Sequence, residues 1–508
     1  MATAVSIPVS QLTTGRLRFL PSLPDLFFAI LLLVLFGQPF AWQALLGDGD
    51  TGWHIRTGEY VLEHGAVPVH DLYSFSRAGQ TWYAWEWLSD VILAQIHRWW
   101  GLPGVAVWAA LMVSLASTLL FAWLLRRGAG AGVALAATLA ATSAASVHYL
   151  ARPHLFSLVL WLIGLGLLDK DRHSRTPWLW ILVPMTGVWV NLHGGFAAWL
   201  GVLFLLVGVS VAQRHRANSI RYSLLAGLSS LATLANPWGW QLHRHILEYL
   251  TSDWITLHVQ EFQSPSIRSE NMWIFALLLI AGVAAAARGW RSSYWFESSL
   301  VGVWGLASLR SARYVPLFAM VAAPVIANHA AVWWRNRAEM AGSRSGVRVL
   351  WEASQSLGAQ YRFTWWLPVL GALAVAATLP SRALADFPGQ FFPVEAVNRN
   401  IDLLTSPGQR LLTSDQWADY VIYRLHPRTR VFFDGRSDFY GSAVGDDYRT
   451  LLTATEESPA VLKRWGFTAA LLPSDWPLRQ ILVRDSEWRV VYRDSHALLL
   501  VKTARSTP

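Results

Sequence analysis

The stretch GDGDTGWHIRTGEYVLEHGAVPVHD, residues 47–71, follows directly on an apolar run that begins near Leu23, and it is crowded with acids and histidines. A helix of about 20 apolar residues crosses the hydrocarbon core of a bilayer, so the apolar run is typical of a transmembrane span. Ionisable groups are costly near hydrocarbon and tend to mark sites or water-filled cavities. The stretch therefore predicts a membrane fold with polar chemistry where the first span ends.

The composition of the whole chain indicates a polytopic membrane protein. Of its 508 residues, 54% are hydrophobic and 14% are charged, which is more apolar than a soluble core requires. Thirty tryptophans predict many helix ends at the headgroup level, where indole rings prefer to lie. The absence of cysteine excludes disulfides, thiolate metal ligands and thiol nucleophiles.

Eleven apolar segments have about the length that a membrane span requires. They lie near 24–46, 102–125, 131–149, 153–168, 177–192, 195–212, 220–236, 272–287, 294–309, 314–334 and 365–380. With the N-terminus in the cytoplasm, every inside loop is rich in arginine or lysine, as the positive-inside rule requires. This arrangement explains the net charge of +9 without a nucleic-acid partner, and the odd number of spans places the C-terminus outside.

The chain is predicted to have two domains. Residues 1–380 form the transmembrane domain, which keeps its first span and has a long first external loop, 47–101, containing an amphipathic helix near 82–101. From about Arg382 the apolar runs shorten to strand length, and short strands alternate with helical segments up to a terminal hairpin at 488–502. We therefore expect residues 381–508 to be an external soluble α/β domain.

The polar residues at the span ends collect on the predicted external side. Twelve of the fifteen histidines lie there, all but His173, His215 and His329. The external candidates for a functional site are Asp48, Asp50, His54, Asp71, Glu86, His148, Arg152, His154, Asn191, His193, Arg310 and Arg313. This one-sided distribution predicts an external cavity.

The acidic candidates also have simpler structural explanations. Asp48 and Asp50 fit a solvated turn that ends a helix, and Asp71 fits a cap after Pro68. Glu86 fits an ion pair with a nearby arginine. Two acids side by side at the membrane edge are nevertheless more than a turn requires, and this favours a role in the site.

The other candidates leave the same choice open. Asn191 fits a helix C-terminus, and His154 and His193 fit hydrogen bonds between helices. Arg152, Arg310 and Arg313 fit as counter-ions of the external acids. Three cations on the side where positive charge is sparse favour an anionic ligand, because arginine binds phosphate well.

No signature of a soluble enzyme is present in the sequence. A glycine-rich dinucleotide loop after a strand, a phosphate-binding P-loop, the HExxH zinc motif and the GxSxG nucleophile elbow are all missing. Chemistry must therefore use carboxylates, imidazoles, hydroxyls or guanidinium groups.

These features together resemble the GT-C superfamily of integral-membrane glycosyltransferases. The resemblance rests on the acidic motif after the first span, the long first loop, about eleven spans and the external C-terminal α/β domain. The segments WEWLSD, RPH, NLHGGF and ANPWGW, with the first-loop motif, are similar to a group of bacterial GT-C-like membrane proteins. The resemblance implies a multi-pass protein of the bacterial inner membrane.

The resemblance also implies roles for individual residues. The first-loop carboxylate, here Asp50 or its neighbour Asp48, would act as the base toward the acceptor, and Glu86 or Asp71 would supply a second acid. The sugar would arrive on a polyprenyl phosphate or diphosphate at the outer leaflet. Independently of the resemblance, Asp48 and Asp50 are candidate ligands of a divalent cation, Mg²⁺ or Mn²⁺, because hard cations take oxygen ligands; members of the superfamily differ in their need for a metal.

General chemistry agrees with these roles. A positioned carboxylate speeds proton transfer from an acceptor hydroxyl by roughly 10²–10⁴-fold, and cations stabilise the charge that develops on a departing phosphate. We therefore expect an inverting glycosyltransferase whose acceptor is a lipid, a glycan or a protein. The alternatives are a transporter or flippase for a lipid or polar solute, which would place ionisable residues at mid-span, and a non-catalytic glycolipid-binding protein.

Overall fold

The computed structural model describes residues 20–37, 41–268, 272–292, 294–359, 364, 366–378 and 386–503. The described chain is mostly helical, and a small sheet lies near its C-terminus. The predicted domain boundary near 380 lies outside the described residues. The division into two domains stays a prediction.

All eleven predicted spans coincide with helices. The helices up to residue 378 are α1 (Leu23–Gly37), α2 (Ala41–Ala44), α3 (Asp50–His64), α4 (Trp87–Arg126), α5 (Ala131–Ala145), α6 (His154–His173), α7 (Leu182–Leu192), α8 (Gly195–Ala212), α9 (Arg216–Ala232), α10 (Trp240–Thr251), α11 (Asp253–His258), α12 (Met272–Arg291), α13 (Trp295–Arg310), α14 (Val315–Met340), α15 (Gly346–Ala359) and α16 (Trp366–Thr378). Short 3₁₀ turns extend α5, α7 and α14 and follow α11.

Length and composition single out fewer helices as spans. Among the described residues, four are long and apolar enough to cross a membrane: Trp87–Arg126, Ala131–His148, Met272–Arg291 and Ala312–Met340. Shorter apolar helices lie at Leu23–Phe36, Pro177–Leu192, Phe196–Ala212 and Trp366–Val375. The number of eleven spans stays a prediction.

Helix α4 joins two predicted elements. The amphipathic helix expected near 82–101 begins at Trp87 and continues into the second span. Gly101 interrupts it with φ 62° and ψ −162°, a backbone conformation that glycine adopts without a steric penalty. Pro103 follows within the next turn. The chain thus changes direction at Gly101, between the predicted amphipathic segment and the predicted second span.

The C-terminal segment contains the predicted strands and two helices that were not predicted. Its elements are α17 (Val394–Arg399), α18 (Ile401–Leu404), β1 (Arg410–Thr413), α19 (Asp415–Leu425), β2 (Arg430–Val431), α20 (Ser437–Thr453), α21 (Ser458–Trp465), β3 (Ala469–Pro473), α22 (Leu478–Arg484), β4 (Trp488–Arg493) and β5 (Ala497–Lys502). The strand order is β2-β1-β3-β5-β4. Strands β2, β1 and β3 are parallel, whereas β5 pairs antiparallel with both β3 and β4.

The predicted first external loop, residues 47–101, lies against the open edge of this sheet. The Val431 amide donates to the carbonyl of Tyr73 at 3.0 Å, and the Phe75 amide donates to the carbonyl of Val431 at 3.0 Å. These bonds satisfy edge groups of β2 that would otherwise be free to pair with another strand. Backbone hydrogen bonds therefore hold the loop after the first predicted span directly against the C-terminal segment.

Candidate active site

A cavity of about 740 Å³ lies among the helix ends on the side that the charge pattern predicts to be external. Among its lining residues are seven predicted site residues, namely Glu86, His148, Arg152, His154, His193, Arg310 and Arg313. These side chains come from four separate regions of the sequence. The expected gathering of polar groups at one end of the helical bundle is therefore present.

The remaining wall of the cavity is mostly apolar. Ala197, Gly201 and Leu205 of α8 face Val303 and Ala307 of α13 across it. A Cβ added at Gly201 would meet no atom within 4 Å, so this part of the wall is open. The cavity thus joins a hydrophobic groove between two apolar helices to a charged end.

Arg152 is the centre of an ionic cluster at the charged end. Its guanidinium donates to Asp48 at 2.9 Å and to Glu261 at 2.7 Å, and it forms an ion pair with Asp50 at 2.7 Å. Arg152 lines the cavity, whereas Asp48 and Asp50 lie buried behind it. The first-loop acids therefore border the cavity through Arg152.

The local structure after the first span holds this cluster in place. The side chain of Asp48 accepts from the amide of Asp50, the first residue of α3, at 2.9 Å. An acid at a helix N-terminus is favourable, since it binds a free amide and the positive end of the helix dipole. The Thr51 hydroxyl donates to the carbonyl of Ala151 at 3.0 Å, which fixes the backbone next to Arg152.

The two acids that contact Arg152 differ in their electrostatics. Burial raises the pKa of the Asp50 carboxyl to about 7, against the opposing effect of Arg152. For Glu261 burial also acts to raise the pKa, but Arg152 and Arg313 outweigh it and hold the pKa well below its usual range. Asp50 is thus suited to take up a proton near neutral pH, and Glu261 stays ionised.

Glu86 reaches the cavity between two histidines. Its carboxyl oxygens lie 3.7 Å from Nε2 of His54 and 3.6 Å from Nε2 of His193. Burial raises the pKa of Glu86 to about 8, so the group is largely protonated at neutral pH. His54 is buried beneath Glu86 and bonds Asp90 through Nδ1 at 2.6 Å.

The hydrogen bonds of His193 define which ring nitrogen carries the proton. Nδ1 accepts from the amide of Gly195 at 2.9 Å and lies 2.8 Å from the hydroxyl of Ser157, which itself accepts from the indole of Trp189. The backbone amide can only donate, so Nδ1 is the acceptor and the proton of the neutral ring is on Nε2. His193 therefore presents a donor toward Glu86.

Arg310 and Arg313 provide further positive charge on the cavity wall, in addition to Arg152. The Arg313 guanidinium stacks over Phe262 at 4.4 Å and donates to the Tyr249 hydroxyl at 3.3 Å. Within the described part of the chain, neither arginine forms an ion pair with a carboxylate. Two guanidinium groups without a direct carboxylate partner on one cavity wall suit an anionic ligand.

Two predicted site residues lie away from the cavity. The Asn191 side chain accepts from the Trp87 indole at 2.8 Å and donates to the carbonyls of Gly187 and Ala235. Asp71 accepts from the amides of residues 73 and 74 and from Arg436 at 2.8 Å. Both side chains form their hydrogen bonds with other groups of the protein. This agrees with a structural role for each of them.

The structure also adds residues that were not predicted. Glu261 and Tyr249 come from the segment between α9 and α12, and Asp419 comes from α19. An isolated acid in a long loop carries no motif, so no sequence signal marks Glu261. Asp419 lies almost 370 positions from Asp50, and only the tertiary fold places it beside the first loop.

The arrangement of Asp48 and Asp50 bears on the predicted metal ion. The guanidinium of Arg152 spans both carboxylates, in the position that a shared cation would take. Among the described residues, no group of three or more His, Asp and Glu side chains has an arrangement that would hold a metal. The Mg²⁺ or Mn²⁺ site stays a prediction.

Comparison with known proteins identifies the fold. The sequence matches no family model and no curated protein. The structure is similar to the Archaeoglobus fulgidus oligosaccharyltransferase tethered with an acceptor peptide containing the NVT sequon, with a TM-score of 0.58 and 12% identity over 89% of this chain and 68% of that one. A complex of that enzyme, AglB, with an inhibitory peptide and a dolichol-phosphate gives a TM-score of 0.52, at 14% identity over 89% and 69%.

A bacterial structure matches over almost its whole length. ArnT from Cupriavidus metallidurans, bound to undecaprenyl phosphate, has a TM-score of 0.50 and 15% identity over 94% of this chain and 98% of that one. At these identities the similarity concerns the fold alone. This chain therefore shares the fold of these two enzymes, in agreement with the expected resemblance to the GT-C superfamily.

Proposed function

We propose that this protein is a membrane glycosyltransferase that moves a sugar from a polyprenyl-phosphate-linked donor to an acceptor hydroxyl on the outer face of a bacterial inner membrane. The cavity carries this proposal, because it combines an apolar groove between α8 and α13 with a charged end. A lipid phosphate has the same two parts, a long hydrocarbon chain and an anionic head. The solved neighbours that hold dolichol-phosphate or undecaprenyl phosphate support the same class of donor.

The arginines of the cavity would bind the donor phosphate. Arg310 and Arg313 lie beside the apolar groove and lack a carboxylate partner in the described residues. When the bond from the sugar to the phosphate breaks, its electron pair stays on the phosphate oxygen. Guanidinium groups already in place stabilise that charge without reorganising at the moment of reaction.

Asp50 would act as the base toward the acceptor. Its pKa near 7 gives it both the ionised form and the basicity that proton transfer needs. Arg152 holds Asp50 in this structure, and the donor phosphate would compete for that guanidinium. Binding of the donor would thereby release the base.

The reaction would then be a single displacement. The acceptor oxygen forms a bond to the anomeric carbon while its proton moves to Asp50, and polyprenyl phosphate leaves from the opposite face with the electron pair of the broken bond. This course inverts the anomeric configuration. Glu86 stays protonated at neutral pH and would donate a hydrogen bond to a hydroxyl of the sugar.

Replacement of the base tests the proposal. Asp50→Asn should reduce kcat by about 10²–10⁴-fold, the usual contribution of a positioned base, in an assay of sugar transfer from a radiolabelled polyprenyl-phosphate donor in proteoliposomes. Mass spectrometry of surface and lipid-linked glycans, with and without the protein, identifies the sugar and the acceptor for this assay.

Glu63→Gln is the matched control, since Glu63 is an exposed acid of the same helix. It should transfer sugar at the normal rate. Normal transfer by a folded Asp50→Asn protein would remove the catalytic assignment of Asp50. Absence of transfer by the unmodified protein with every donor tested would favour a glycolipid-binding role.

A further inference from the structure

The glycines of the first-loop motif lie in direct contact with helix α19 of the C-terminal segment. A Cβ added at Gly52 would lie 2.7 Å from the carbonyl oxygen of Asp419 and 2.8 Å from the Cβ of Tyr423. A Cβ added at Gly49 would overlap the carbonyl oxygen of Gln416. Contacts this short do not occur for real side chains, so the start of α3 and α19 approach each other backbone to backbone only because glycines stand there.

Hydrogen bonds reinforce this contact. The amide of Gly49 donates to the side chain of Gln416 at 2.9 Å. One helical turn further along α3, the Arg56 side chain donates to the carbonyl of Tyr423 at 2.7 Å. The contact is therefore a specific docking surface between the two segments.

At the centre of this docking surface, a third glycine leaves room for two carboxyl groups. A Cβ added at Gly435 would overlap Oδ1 of Asp50 and lie 2.7 Å from Oδ2 of Asp419. The amide of Gly435 donates to the other oxygen of Asp419 at 3.1 Å. The carboxyls of Asp50 and Asp419 thus face each other where only a residue without a side chain leaves room.

The two oxygens that face each other have no other partner. Oδ1 of Asp50 and Oδ2 of Asp419 are both buried and accept no hydrogen bond from the described residues. The Asp419 side chain is fully buried. Two buried carboxyls at close range are stable only when a shared proton joins them in a hydrogen bond, since two buried charges of one sign repel.

We propose that Asp419 is a positioning residue of the catalytic site, which fixes the carboxyl of Asp50 from the side opposite Arg152 and makes α19 a required part of that site. Arg152 binds Oδ2 of Asp50 at 2.7 Å, and Asp419 faces Oδ1. The base is thereby held between a residue of the membrane segment and a residue of the C-terminal segment. This inference rests on the proposed role of Asp50.

Positioning of this kind affects the rate more than the binding of substrate. Displacement of a reacting group by about 1 Å costs on the order of 10²-fold in rate. Asp419→Leu removes the polar contact at similar volume, and kcat should fall by about that factor while KM for the donor changes little. Asp419→Asn keeps a donor toward Asp50 and an acceptor for the Gly435 amide, and kcat should fall by less than about tenfold.

Two controls separate positioning from general damage. Asp402→Asn changes an exposed acid of the same segment and should leave kcat and KM unchanged. Gly52→Ala should separate the two backbones and lower kcat as Asp419→Leu does. Gly227→Ala in α9, where an added Cβ meets nothing within 4 Å, should have no effect.

A double-mutant cycle tests the contact itself without any sugar transfer. Thermal unfolding of the purified full chain is measured for Asp50→Asn, Asp419→Leu and the double variant. Interacting residues give non-additive effects, so the shift in Tm of the double variant should be smaller than the sum of the single shifts. Non-additive shifts without any enzymatic activity would reject the proposed function but retain the contact.

Three results would overturn the inference. Additive shifts in Tm would show that Asp50 and Asp419 do not interact. Normal kcat of a folded Asp419→Leu protein would remove the positioning role. A loss of kcat in Asp419→Asn equal to that in Asp419→Leu would show that the charge of Asp419, rather than its hydrogen bond, is what the site requires.

Discussion

At the scale of single residues, two carboxyls of one site have different environments and different roles. Asp50 lies behind Arg152, with a pKa near 7, and Glu86 lies on the cavity wall between two histidines, with a pKa near 8. Burial raises both values because the charged form loses its hydration. Near neutral pH the first group is substantially ionised while the second is mostly protonated, as a base and a hydrogen-bond donor should be.

The pH dependence of kcat should be bell-shaped. The rate should rise as the pH increases through about 7, because Asp50 must lose its proton to act as the base. It should fall above about 8, where Glu86 loses the proton that it donates to the sugar. In Glu86→Gln the amide donates at every pH, so the alkaline limb should disappear while the acid limb stays; an unchanged alkaline limb would exclude Glu86 as its source.

The cavity arginines should determine donor affinity. Arg313→Ala removes a guanidinium that has no carboxylate partner in the described chain, so the apparent KM for the lipid donor should rise by about 10-fold, as for loss of one charged hydrogen bond. Arg310→Ala should act in the same direction. Arg98→Ala, an exposed external arginine outside the cavity lining, is the control, and equal KM values for all three variants would contradict phosphate binding.

At the scale of elements, the apolar groove between α8 and α13 gives the lipid chain a lateral path to the site. Small side chains along α8 leave this path open, as the empty surroundings of Gly201 show. Helix α8 is hydrophobic all round, so the sequence identifies it as a span without showing which face lines a groove. That face depends on where α13 packs.

Filling the groove should block the donor. Gly201→Trp places an indole on the cavity wall and should raise KM for long-chain donors more than for short-chain, water-soluble analogues. Gly208→Trp, two turns away on the same face of α8 and also surrounded by open space, should transfer sugar normally. Equal KM changes for long and short donors would show that the chain does not occupy the groove.

A buried ionic cluster joins the first loop to the C-terminal segment. Arg436 is 2% exposed and bonds Asp71 of the first loop at 2.8 Å and Asp434 at 2.7 Å. Arg436→Met leaves two buried acids unpaired, which should lower the free energy of unfolding by about 3–5 kcal/mol. Thermal unfolding in detergent measures this loss; Arg428→Met, at an exposed position, should leave the Tm unchanged.

At the scale of the whole molecule, the site forms where three parts of the chain meet. The first loop supplies the acids, the helix ends supply the arginines and histidines, and the C-terminal segment closes the site behind Asp50. The ionisable groups of the site collect at the helix ends. A transporter would place such groups at mid-span, and this difference favours an enzyme.

Much of this arrangement could be predicted from the sequence. Apolar length predicted helices where all eleven segments lie, and the same physical rule placed Glu86, Arg152, His154 and His193 at one end of the bundle. The short strands were predicted from their β-branched and aliphatic runs. Helices α19 and α20 were not predicted. Gly441, with φ 71°, interrupts the helical pattern of α20, and α19 contains Val, Ile and Tyr, which have a high strand propensity.

The sequence alone determined that the chain is a membrane helical bundle with polar groups gathered at one end, because hydrophobic length and the cost of buried charge act locally along the chain. Only the tertiary structure decided that Arg152 separates Asp50 from the cavity, that Glu261 joins the cluster and that Asp419 faces Asp50. These contacts join residues more than a hundred positions apart. They depend on which surfaces pack together, which no local pattern specifies.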